Sequence, residues 1–79
     1  LGAQSPSAAV RLEQTFNAAA QALRAGDLEQ AEAGFQAVLK QDPRSIPALG
    51  NLGVVYSRQD RPGEAVKVYR RALKLAPNE

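Results

Sequence analysis

The chain has 79 residues, 10 basic against 8 acidic side chains, 44% hydrophobic and only 5% aromatic content, and a formal net charge of +2. A single core of this size supplies only about 3–5 kcal/mol, so a lone catalytic cavity is hard to build from it. The absence of Cys and His removes thiolate nucleophiles, disulfides, zinc sites and imidazole acid–base chemistry, and no apolar run approaches the ~20 residues of a membrane span.

Abundant Ala and few β-branched residues favour an all-α chain. Leu1, Gly2, Ala3, Gln4 and Ser5 read as an unstructured linker (1–5), the less favoured alternative being the remnant of a signal-peptide junction, and Leu1 in place of Met suggests a cut or processed start. Ser5–Pro6 suits a helix start, Ser as N-cap and Pro where its missing N–H costs nothing. The first helix is expected to run to Ala25, with Leu12, Phe16, Ala19 and Leu23 as its apolar stripe. Gly26 stops it, because glycine tolerates the left-handed conformation. Asp27 caps the next helix, with Gln30 placed as in a capping box.

The second helix presents Leu28, Ala31, Phe35, Val38 and Leu39 on one face and ends near Gln41, since a residue before Pro43 avoids the α region. Ser45 is the N-cap of a third helix from Ile46 to about Gln59. Asp60–Arg61–Pro62–Gly63 turns the chain into a fourth, which reaches about Ala76. Glu64 in its first turn meets the positive end of the helix dipole.

Leu49, Leu52 and Tyr56 lie three and seven residues apart and share one helix face; Ala65, Tyr69 and Ala72 do the same on the next helix. Small Gly53 and Ala65 let the two backbones approach while the Tyr rings fill the remaining space. Positions 34 apart are repeatedly identical: Asn17 and Asn51, Arg24 and Arg58, Ala31 and Ala65, Leu39 and Leu73, Lys40 and Lys74, Pro43 and Pro77. The run Leu49-x2-Leu52-Gly53-x2-Tyr56, Ala65-x3-Tyr69, Pro77 and this period resemble the tetratricopeptide repeat.

The resemblance implies an α-solenoid array of four antiparallel helices in two helix-turn-helix hairpins. Residues 6–11 would extend the first helix, with repeats over 12–45 and 46–79. Thr15, Ala18, Ala19 and Ala22 depart from the pattern in the first repeat. Either Leu12, Phe16 and Leu23 substitute as packing residues, or the repeat is an atypical terminal one, which is the favoured reading.

The resemblance also implies a use: a non-catalytic adaptor or scaffold whose concave groove holds an extended peptide or a partner's helix. Asn17, Ala20 and Arg24 follow i, i+3, i+7 spacing, as do Asn51, Val54 and Arg58, and by the family pattern these partner-binding strips are adjacent. An amide offers donor and acceptor to a peptide backbone, and the asparagines stand where some long arrays form a ladder. Arg24 and Arg58 would attract acidic side chains or a C-terminal carboxylate. The alternative is an ordinary solvated face. Phe16 and Ala20 stand where the clamp for chaperone C-termini needs Lys and Asn, which argues against that ligand.

No phosphate loop, metal cluster, cofactor motif or activated nucleophile is visible, so neither enzyme nor cofactor is expected. Lys67, Arg70, Arg71 and Lys74 form a basic stripe, but the small total charge and missing aromatic platform favour a solvated convex face over nucleic-acid binding. Residues 1–45 hold four basic and five acidic side chains and residues 46–79 hold six and three, so charge favours head-to-tail stacking. Val66, Tyr69 and Leu73 would be covered by a following repeat. The chain therefore reads as a fragment of a longer array, self-associating through its open ends.

Overall fold

The computed structural model describes residues 7–77; the linker expected at 1–5 and the Ser5–Pro6 helix start lie outside them. Four helices follow one another: α1 (Ala8–Ala25), α2 (Leu28–Gln41), α3 (Ile46–Arg58) and α4 (Pro62–Leu75), with no strand among the described residues. α1 packs along α2 and α3 along α4 as two hairpins. α2 also packs on α3, which joins the hairpins, while α1 meets α3 only lightly. The fold is the all-α hairpin array expected from the repeat.

Local chemistry sets the helix boundaries. Ser7 caps α1, its Oγ accepting from the Val10 N–H at 3.2 Å. Ser45 does the same for α3, accepting from Ala48 N–H at 3.2 Å. The capping box expected at Asp27 is half formed. Its Oδ1 accepts from Gln30 N–H at 3.3 Å, but its own N–H is already given to the Ala22 carbonyl at 2.8 Å. Gln59 and Ala76 serve as C-caps, so α3 and α4 each end one residue before the position expected from the sequence.

The two tight turns repeat one geometry. Gly26 has φ 81 and Asp60, 34 positions later, has φ 59. In each turn the left-handed residue donates to a carbonyl three back and the next residue to one five back: Gly26 to Leu23 and Asp27 to Ala22, then Asp60 to Ser57 and Arg61 to Tyr56. These bonds satisfy carbonyls that a helix end would otherwise strand.

The core runs through both hairpins. Ala31, Phe35, Val38, Ala48, Leu49, Leu52 and Val55 are fully or nearly fully buried, and Tyr56 is 6% exposed. α1 reaches this core through Ala19 and Leu23, both buried, and through Phe16, whose ring meets Phe35 edge-on at 5.4 Å. Leu12, Phe16 and Leu23 thus pack on the core where the first repeat lacks the family's large residues.

Close backbone approach is achieved differently in the two hairpins. A Cβ on Gly34 would sit 2.6 Å from the Ala19 Cβ and 3.3 Å from its Cα. A Cβ on Gly53 would sit 2.3 Å from an atom of the Tyr69 ring. Tyr69 therefore does fill the space above Gly53, as the spacing implies, yet it remains 37% exposed.

Candidate functional site: the trough between α1 and α3

α1 and α3 both pack against α2 and meet each other only lightly, and the surface that they share carries the two strips picked out by the repeat, here called the candidate trough. Halfway along it, Ala20 of α1 and Val54 of α3 are half-buried and packed on the core. Asn17 is exposed and Asn51 half-buried. Neither Asn side chain takes part in a hydrogen bond among the described residues, whereas a polar group buried from water normally finds a partner. The Asn51 amide is not sealed off, since no buried side-chain N or O among the described residues lacks a bond.

At the closing end of the trough, Arg24 and Arg58 are exposed in the last turns of α1 and α3, where positive charge complements the helix dipole. Arg58 is not idle: its Nη1 donates to the Leu23 carbonyl at 3.4 Å, tying the end of α3 to the end of α1. That bond leaves Arg24 the freer of the two charges for a partner.

At the opening end lies a cleft of about 260 Å³ that sequence reasoning did not find. Ala9, Leu12 and Phe16 of α1, Val38 of α2 and Pro47 of α3 give it an apolar lining, which Glu13, Asp42 and Ser45 complete with polar groups. The spacing of Leu12 and Phe16 was legible; that Val38 and Pro47 join them was not, because they come from other helices.

A polar network ties the hairpins together near the start of α4. Arg61 Nη1 donates to Glu32 Oε1 at 2.9 Å and to Gln59 Oε1 at 2.8 Å, and Nη2 donates to Glu64 Oε2 at 2.8 Å. Gln59 Nε2 donates to the same Glu32 oxygen at 3.1 Å, and the guanidinium lies 4.6 Å above the Tyr56 ring. The Glu64 hydrogen bond, and then the Glu32 charge, raise the Arg61 pKa above its usual value. This network joins α2 to the turn between α3 and α4. No group of three or more potential metal ligands occurs among the described residues.

The basic stripe of Lys67, Arg70, Arg71 and Lys74 is exposed along α4, with Arg71 Nη2 held by the Pro43 carbonyl at 3.2 Å. Val66, Tyr69 and Leu73 are 44%, 37% and 73% exposed on the same helix. No described helix is long and apolar enough to cross a membrane.

Paired helices stacked at a 34-residue period define a helical-repeat protein. Residues 16–79 match the tetratricopeptide repeat family, and the chain belongs to it. No curated protein matches the chain. Tetratricopeptide repeats generally mediate protein–protein interactions and are typically non-catalytic, and the family implies protein partners.

Proposed function

We propose that this chain holds an extended peptide or a partner helix in the trough between α1 and α3, with the repeats spanning 12–45 and 46–79. Asn17 and Asn51 hydrogen-bond the partner's backbone, Ala20 and Val54 give the apolar floor, and Arg24, with Arg58, attracts acidic groups at the closing end. The observation that carries this reading is Asn51, a half-buried residue of α3 whose amide is open to solvent and makes no hydrogen bond among the described residues. Asn is also a poor helix former, so its place inside α3 calls for a role that solvation alone does not supply.

The test is the double substitution Asn17→Ala with Asn51→Ala. Ala favours the helix, so circular dichroism should be unchanged while peptide binding, followed by fluorescence anisotropy, is lost. Binding that survives the double change would put the site elsewhere.

A second reading has its own observation. Leu73 is 73% exposed although Leu39, 34 positions earlier, is packed against the core. Val66, Tyr69 and Leu73 then form the surface through which the chain stacks on another copy or on a further repeat. The acidic excess of the first half and basic excess of the second assist that stacking. Sedimentation velocity over a concentration series should show association; a single species throughout would rule out stacking on another copy.

A further inference from the structure

We propose that the cleft at the opening end of the trough selects a large apolar side chain that stands next to Lys or Arg in the partner's extended segment. This inference rests on the trough being the peptide site. The cleft's volume of about 260 Å³ is below the range for whole small-molecule ligands and is of the order of one side chain. Its apolar lining is Ala9, Leu12, Phe16, Val38 and Pro47. An apolar side chain entering it removes those surfaces from water, which is favourable in proportion to the area covered.

Charge chooses the neighbour of that side chain. Glu13 is exposed on α1 and forms no ion pair among the described residues. Asp42 is the C-cap of α2, where a helix dipole disfavours negative charge. Its Oδ1 accepts only the Arg44 backbone N–H, at 3.3 Å, and no cationic side chain neutralises it. Two carboxylates with no cation at ion-pair distance among the described residues therefore line the cleft, and Arg24 and Arg58 lie in the last turns of α1 and α3, away from it. A bound segment meets opposite charge at both ends only when its cationic residue sits beside the apolar anchor. The trough thus fixes a direction as well as a composition.

The test is selection of random linear peptides displayed on phage against the immobilised chain and its Glu13→Lys variant, whose position on the α1 surface leaves the fold intact. The chain should enrich Leu or an aromatic residue beside Lys or Arg, and Glu13→Lys, which sets a cation against the remaining Asp42, should remove the preference for a basic neighbour. A synthetic consensus peptide should bind Glu13→Lys about three-fold more weakly or worse, the scale of one exposed ion pair. Ala9→Phe, which fills the cleft from α1, should remove the apolar requirement.

A consensus without a basic neighbour, or one that Glu13→Lys leaves unchanged, overturns the proposal. The trough itself still stands in that case if Asn17→Ala with Asn51→Ala abolishes binding. A library that yields no consensus overturns both. Two other occupants would also overturn it. Enrichment only after residues 1–6 are deleted would assign the cleft to the chain's own leading segment, and a changed sedimentation coefficient in Glu13→Lys with no change of consensus would assign it to a second copy.

Discussion

α2 and α4 are built to one pattern and live in different surroundings. Phe35 is fully buried while Tyr69, its counterpart 34 positions on, is 37% exposed; Leu39 packs against the core while Leu73 is 73% exposed. The difference is α3, which lies against α2, whereas among the described residues no helix takes the corresponding place against α4. Burial in a repeat protein is thus conferred by the neighbouring unit: the same residues form the centre of a core where a helix follows and a bare apolar ridge where none does.

The comparison is broken most severely at its aromatic pair. Phe35→Ala removes a fully buried ring and should cost ~3–5 kcal/mol, as much as the whole domain has, so the cooperative urea transition should vanish at room temperature. Tyr69→Ala should cost no more than about half of that and leave a measurable transition. Equal losses would mean that α4 is covered in solution.

A smaller effect sharpens the contrast between the two helix crossings. Gly34→Ala drives a methyl group against the Ala19 Cβ and Cα, where neither atom has a soft degree of freedom. It should destabilise by about 1–3 kcal/mol. Gly53→Ala has the Tyr69 ring as its nearest neighbour, which is partly exposed and can rotate away, and Ala in a helix interior recovers ~0.5–1 kcal/mol over Gly. Chemical denaturation should therefore show the Gly53 change to be the milder one, and milder still when combined with Tyr69→Ala.

The smallest effect on folding belongs to Leu73→Ser. A side chain so exposed contributes within about ±0.5 kcal/mol, so the unfolding midpoint should hold. Self-association in sedimentation should weaken, whereas Leu39→Ser should destabilise the chain outright.

These outcomes bear on what a single sequence reveals. The four helices, the Ser45 and Asp27 caps and the Gly26 turn were legible because each is decided within three or four residues. The repeat period made the hairpin pairing legible as well. Ser7, two residues after the expected cap, shows how loosely sequence locates a helix start when several small polar residues compete. Gly34 gives no signal of its own: a glycine inside a helix looks like a defect until Ala19 is placed opposite. The Glu32–Arg61 tie spans 29 positions, and the cleft draws walls from three helices, so neither leaves a periodic trace. Of the trough residues, Asn17 and Asn51 announced themselves by recurring at the repeat interval, while Glu13 and Asp42 became noteworthy only through the cleft beside them.

The turn at Asp60 carries a consequence for how such chains tolerate change. The left-handed conformation costs an L-residue roughly 1–2 kcal/mol, and Asp adopts it more readily than most. The second connection nonetheless reproduces the bond pattern of the Gly26 turn without a glycine. The shape of the corner is dictated by the two helix ends that it must join, so this position can accept a charged residue, with a local penalty, and keep its neighbours in register.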